Sequence, residues 1–243
     1  MIPKIIHYCW FGKKQKSPEI LHCISSWNKF FNDWKIIEWN EDNFDISKYK
    51  YAMDAYECKK WAFVSDVVRL VVLEKYGGIY LDVDVEFIKP LPCNYLNYEG
   101  ILGFEHTHTI APGLIFGIEK DNSFVTNILS SYYKERFTIN NDGIYKTINT
   151  RITDYLVERG LILDNKFQLI DGIAIFPSEY FCGYDTDIRE PAITNNTICW
   201  HRYLGSWSNI TFKQKVQNYL KRIIGVRAYK KLIVLVRKIR GNK

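Results

Sequence analysis

The segment Tyr76-Gly77-Gly78-Ile79-Tyr80-Leu81-Asp82-Val83-Asp84-Val85-Glu86 carries the densest chemistry in the chain. Two glycines are followed by carboxylates that alternate with aliphatic side chains. On a β-strand, residues two apart share a face. Asp82, Asp84 and Glu86 would then stand on one side, with Leu81, Val83, Val85 and Phe87 on the other. Carboxylates so spaced repel one another unless a cation sits between them. A hard divalent cation that takes oxygen ligands meets that need. An edge strand with a solvated acidic face is the structural alternative. Just upstream, Asp66 and Arg69 fall three apart, on one face of a helical segment. Charges on an apolar helix need partners. Two readings fit them, an ion pair that staples the helix or a pair aimed into a ligand cavity.

The elements that must position these residues are legible in the patterning. Lys4 to Trp10 reads as a buried strand, Ser17 to Phe31 as a helix with proline near its start, and Trp34 to Trp39 as a second strand. Strand, helix, strand at this spacing is a βαβ start, which implies parallel pairing. Trp61 to Lys75 is apolar around most of its circumference and reads as a buried helix. Gly77-Gly78 supplies its C-cap. Gly100–Phe104 and Gly113–Gly117 read as further buried strands, and segments 122–137 and 148–160 as helices. Ile173–Phe176 and Thr197–Trp200 read as the last strands, the second delivering His201-Arg202-Tyr203-Leu204-Gly205-Ser206-Trp207.

Composition narrows the classes. The 243 residues are 47% hydrophobic and 25% charged, an ordinary globular balance with length for one large domain plus an appendage. The net charge of +6 hides a split: residues 191–243 hold 12 of the 33 Lys/Arg and no Asp or Glu. The preceding body carries 21 basic against 27 acidic residues, which gives no electrostatic reason to bind nucleic acid. The six cysteines are scattered without a C-x-x-C pair, which disfavours a zinc site and a disulfide scaffold and predicts buried free thiols. No signal-peptide run opens the sequence, and no window has the length of a transmembrane helix, so a cytoplasmic protein is expected. From residue 211 a basic amphipathic pattern begins. It predicts a catalytic domain over 1–210 and a helical tail over 211–243, docked on an anionic membrane surface or packed on the domain.

Ligands of open α/β sheets bind at the carboxyl ends of the strands. Asp82 and Asp84 there can hold Mg²⁺ or Mn²⁺, which in turn grips a diphosphate. Trp10, at the end of the first strand, is placed to stack on a base, and Asp66 with Arg69 to hold sugar hydroxyls. His201, at the end of the last strand, suits a metal ligand. With these residues in view, the chain resembles glycosyltransferase family 32, the DXD-containing sugar transferases of polysaccharide and capsule synthesis, and more distantly the glucosylating domains of clostridial toxins. The resemblance rests on Ile2 to Gly12, Ala62 to Arg69, Tyr76 to Asp84, and His201 with Gly205-Ser206-Trp207.

The resemblance implies a GT-A, Rossmann-like α/β fold with a mixed central sheet flanked by helices. It also implies a metal-bound nucleotide-sugar donor and transfer with retention at the anomeric carbon. Carried over by position, Trp10 would stack on the base, Asp66 and Arg69 would bind the donor sugar, and Asp82 would touch ribose or sugar and share the metal. Asp84 would be the direct metal ligand, His201 would complete the shell, and Ser206 and Trp207 would close over the diphosphate. The expected partners are a UDP-sugar donor and a lipid-linked saccharide acceptor, as in polysaccharide assembly. The region around Lys146–Arg151 matches only loosely and assigns no acceptor-side residue. No carboxylate presents itself as a covalent nucleophile, so same-face attack by the acceptor hydroxyl is the expected course. Two other classes are compatible with parts of the pattern. A metal-dependent phosphoesterase would want an Asp-x-Asp-Gly-Thr turn, which is missing. A lipid or nucleic-acid binder acting through the tail leaves Asp66, Arg69, Asp82 and Asp84 without a task.

Overall fold

In a computed structural model of the chain, residues 1–106, 108–138, 146–185, 190–205, 225, 228 and 229 are described. The expected βαβ start is present: β1 (Ile5–Cys9), α1 (Pro18–Phe30) and β2 (Lys35–Trp39), with β1 and β2 parallel in the register Ile5 to Lys35. Ser17 caps α1 by accepting the Ile20 N–H, and Pro18 occupies the first turn, where its missing N–H costs nothing. A short helix α2 (Lys50–Glu57) then packs on the long helix α3 (Trp61–Tyr76).

Beyond α3 the chain lays down β3 (Gly78–Tyr80), β4 (Val85–Phe87), β5 (Gly100–His106), β6 (Thr109–Ile110) and β7 (Phe116–Ile118). Helices α4 (Ser123–Tyr133) and α5 (Ile148–Val157) follow, then β8 (Gln168–Ile170), β9 (Ile173–Phe176) and the single-turn α6 (Ser178–Phe181). The described chain closes with β10 (Tyr184–Asp185), β11 (Glu190–Pro191) and β12 (Cys199–His201).

The central sheet runs β2-β1-β3-β7-β5-β9-β8, with β6 pairing β5. β1 pairs β3 in parallel, β7 is antiparallel to both β3 and β5, and β9 is parallel to β5. Strands β1, β3, β5 and β9 therefore point the same way, and their carboxyl ends share one edge of the sheet. Alternate strand residues face opposite layers. Tyr80, Leu102 and Ile175 join α2 to α5 in one core, whereas Ile79, Ile101 and Ala174 join α1 and α6 in the other. This is the expected α/β class, a mixed sheet with helices on both faces.

Three expectations need correction. The acidic segment is not one strand. β3 stops at Tyr80, residues 81–84 form a turn closed by Val85 N–H on Asp82 O, and β4 begins only at Val85. The alternation that imitated a strand comes from Leu81 and Val83 being buried while Asp82 and Asp84 turn outward to the site. Second, the strand that continues the acidic segment is not part of the main sheet: among the described residues β4 pairs only with β12. Third, Cys9, Cys23, Cys182 and Cys199 are buried free thiols as expected, but Cys58 and Cys93 are exposed. Among the described residues no helix is long and apolar enough to cross a membrane. The expected tail over 211–243, apart from three isolated positions, and the residues Ser206 and Trp207 lie outside the described residues.

Candidate active site

Arg69 is the hub of the carboxyl edge. It is 4% exposed, and its Nη2 lies 3.2 Å from Asp66 Oδ1 and 3.3 Å from Asp82 Oδ1. The guanidinium also sits 4.4 Å over the Tyr80 ring, and its Nε donates to Ser65 O. Burial works against its charge, but Tyr80, Asp82 and Asp66 outweigh that cost and hold it protonated. Asp66 is less compensated. Burial pushes its carboxyl up to about 6 despite Arg69, with Asp82 adding to the rise and the Ile148 backbone N–H opposing it. Asp66 and Arg69 pair within α3, and both line a cavity.

The turn at residues 81–84 is held by a close backbone approach. Asp82 N–H donates to Gly113 O at 2.9 Å, and a Cβ on Gly113 would stand 2.0 Å from Asp82 Oδ2. Only glycine leaves that space. At the other end of the turn, β12 pairs β4 so that His201 lies opposite Val85, next to Asp84. His201 Nε2 is 3.1 Å from Asp84 Oδ1, the Leu204 N–H donates to Asp84 Oδ2 at 3.0 Å, and the Arg202 N–H to Asp84 O. Burial would raise the Asp84 pKa, but His201 and the Leu204 N–H outweigh it and hold the carboxyl below its ordinary value. His201 is raised in turn, Asp84 overcoming burial. Glu86 points elsewhere, to His22 and Arg202.

Asp66, Arg69, Asp82, Asp84 and His201 all line one cavity of about 470 Å³. Its far wall comes from residues to which the sequence assigned no role: Glu105 at the end of β5, Thr147, Ile148 and Asn149 at the start of α5, and Tyr203 after β12. Trp10 lies just past β1 and is not among the side chains lining this cavity. Its Nε1 donates to Lys14 O at 2.6 Å, and Lys16 Nζ stands 5.3 Å over its ring.

The donor chemistry of the cavity, two carboxylates at the turn and an imidazole beside one of them, fits a hard divalent cation. The fit is not a finished shell. Among the described residues no three His, Cys, Asp or Glu side chains converge as one metal-binding group, because Asp82 is turned to Arg69. His201 Nδ1 accepts the Tyr203 N–H at 3.1 Å, which leaves the proton of the neutral ring on Nε2, facing Asp84. To bind a cation through Nε2, the neutral ring has to carry its proton on Nδ1 instead, which forgoes the bond from the Tyr203 N–H.

Residues 17–102 match the glycosyltransferase sugar-binding region containing the DXD motif, a span that includes Asp66, Arg69, Asp82 and Asp84. The chain is 26% identical over 238 residues to the uncharacterized glycosyltransferase L373 of Acanthamoeba polyphaga mimivirus, covering 86% of this chain and 84% of that one. It is 35% identical over 89 residues to inositol phosphoceramide mannosyltransferase 3 of Schizosaccharomyces pombe, covering 35% of this chain but only 24% of the relative. Among solved structures, a glycosyltransferase involved in glycosylation of the major capsid of PBCV-1 superposes over 90% of this chain and 100% of its own, with 10% identity and a TM-score of 0.49. The sequence matches make the chain a glycosyltransferase. Asp82-Val83-Asp84 is the DXD segment inside the matched region, and the chain is similar there to the DXD-containing sugar transferases.

Proposed function

We propose that the chain moves a hexose from a nucleoside diphosphate sugar, UDP-linked in preference, to a saccharide hydroxyl, with retention and with a divalent cation. The observation that carries this reading is the single cavity in which Arg69 bridges Asp66 to Asp82 while Asp84 meets His201. In this reading Asp84 and Asp82 would hold Mn²⁺ or Mg²⁺, and His201 would join them through Nε2 as the tautomer whose proton sits on Nδ1. When bound, the cation offsets the charge that builds on the departing diphosphate.

The protein groups do the rest. Asp66 and Arg69 hold donor-sugar hydroxyls, Leu204 N–H keeps Asp84 aimed, and Trp10 offers its ring to the base. Ser206 and Trp207, outside the described residues, are assigned to the diphosphate. The acceptor oxygen bonds to the anomeric carbon on the face the diphosphate leaves. The carbon–oxygen bond to diphosphate breaks with its electron pair, and the hydroxyl proton passes to the leaving diphosphate oxygen. A lipid-linked acceptor draws support from the fission-yeast relative, which is named for mannosylation of inositol phosphoceramide. Seating the basic tail over 211–243 on the cytoplasmic face of an anionic membrane belongs to the same proposal.

A panel of UDP- and GDP-hexoses with Mn²⁺, read by mass spectrometry and by NMR of the anomeric proton, tests the reaction. An α-linked donor yielding an α-linked product supports it. A β-linked product sinks retention, and no consumption of any donor sinks the transferase function. Binding of the full chain to phosphatidylserine vesicles, lost on deletion of residues 213–243, tests the membrane part. Equal binding with and without the tail, or none in either case, refutes it.

A further inference from the structure

The far wall of the cavity contains a carboxylate that the donor-side chemistry leaves unused. Glu105 sits near the carboxyl end of β5, half-buried, and faces the same cavity as the DXD turn. Among the described residues no Lys or Arg forms an ion pair with it, and it acts on His201 only through space, whereas Asp66 and Asp82 have Arg69 and Asp84 lies against His201. Two neutral donors orient it instead. Tyr203 Oη–H donates to Oε1 at 2.7 Å, and the Asn149 amide lies 3.5 Å from Oε2. An ionised carboxylate offers about four acceptor sites, so two remain for the cavity.

Its place in the sheet says what those free sites meet. β1, β3 and β5 run parallel, so Trp10, the DXD turn and Glu105 leave the same edge in that order. β5 lies two strands beyond β3, roughly 10 Å at ordinary strand spacing. A donor laid along this edge puts its base towards β1 and its diphosphate at the turn, with its sugar against Asp66 and Arg69. Glu105 then stands past the sugar, where the incoming hydroxyl has to arrive. Tyr203 secures this geometry at a cost, holding left-handed backbone (φ 48°) while its ring packs 4.1 Å from that of His201.

Resting on the transferase reading above, we propose that Glu105 is the acceptor-side residue. Its carboxylate accepts hydrogen bonds from saccharide hydroxyls and holds the attacking one against the donor sugar, with Tyr203 and Asn149 positioning it. Hydroxyl-to-carboxylate bonds are short and charge-assisted, the usual grip of a protein on a sugar edge.

The test compares Glu105→Gln with the wild-type full chain, both checked for folding by thermal melts. For any donor turned over with Mn²⁺, the ratio of transfer (to methyl or octyl hexosides) over hydrolysis (to water) falls about 10- to 100-fold, the worth of a charge-assisted hydrogen bond. Tyr203→Phe lowers the same ratio by less. Saturation-transfer NMR with the hexosides, UDP and Mg²⁺ gives a readout independent of turnover: wild type saturates at least one hexoside and Glu105→Gln loses it. An unchanged ratio, equal saturation in both proteins, or saturation in neither overturns the assignment. If no donor is hydrolysed while the NMR difference persists, the transferase reading fails and Glu105 stands as a saccharide-binding residue.

Discussion

Two buried histidines mark two regions of this molecule that burial alone does not distinguish. His7, on β1, is wholly buried and stacks against both Trp39 and Tyr76, which also stack on each other. Its Nε2 meets Gly77 O at 2.9 Å and its Nδ1 accepts from Trp39 Nε1 at 3.1 Å. No carboxylate reaches it, so burial dominates and pushes it down to about 4. His201 also has both nitrogens engaged, but one faces the Asp84 carboxylate, and its pKa moves the other way. The first is a neutral strut that ties β1 to the corner between α3 and β3. The second is held against a carboxylate on the wall of a cavity. Direction of shift, with its cause, separates structure from function where residue type and burial do not.

The largest break in that comparison comes from exchanging the two sites. We expect His201→Gln to lower donor turnover by about 10²- to 10³-fold, with little change in melting temperature. His7→Gln should cost about 2–3 kcal/mol of stability while turnover per folded molecule stays within threefold. Parallel losses in both assays for both variants would erase the distinction. Next comes the glycine under the DXD turn. Gly113→Ala forces Asp82 away from Arg69, and a displacement of that order is expected to cost about 10²-fold in turnover. A fully active alanine variant would show that Asp82 need not stand where it does.

Stability against pH sharpens the comparison by smaller amounts. The folded value of His7, about 4, lies below its ordinary 6.5. Its contribution is therefore complete above pH 6.5 and is lost as pH falls through 4, worth about 3 kcal/mol. His7→Gln should remove this rising limb from denaturant-unfolding profiles. Asp66 has the opposite sign, its folded value of about 6 lying above the ordinary 3.8. Its stabilising effect is complete below pH 3.8 and is lost as pH rises through 6. Asp66→Asn should thus stabilise the protein at pH 7 by on the order of 1–3 kcal/mol and impair turnover, as befits a charge kept for function. An Asp66→Asn protein that is less stable at pH 7 than at pH 4 relative to wild type contradicts the assignment.

Much of the site was legible in the sequence because its donor side is local. Asp66 and Arg69 fall one helical turn apart on α3, and Gly77-Gly78 returns the chain at once to Asp82 and Asp84, so short range fixes all four of these charged groups. His201 was legible because it ends the last strand. The opposite wall was not. Glu105, Asn149 and Tyr203 converge from β5, α5 and the segment after β12, and no spacing in the sequence encodes that meeting. The signal that remained for Glu105 was its place at the end of a parallel strand, which becomes informative only once β7 is known to lie antiparallel between β3 and β5. The acidic alternation misled for a physical reason. A turn with buried Leu81 and Val83 alternates like a strand over its four residues.

The account's central claim is that the DXD turn, with Asp84 at its heart, is a cation-dependent glycosyl-transfer site. Its most direct test is the rate of sugar release from the donor panel by the full chain after EDTA treatment, then with Mn²⁺ restored, in wild type and in Asp84→Asn. The predicted result is turnover abolished by EDTA, restored by Mn²⁺ in the wild type, and not restored in Asp84→Asn. Turnover that persists in EDTA, or that Mn²⁺ restores equally in Asp84→Asn, would contradict it.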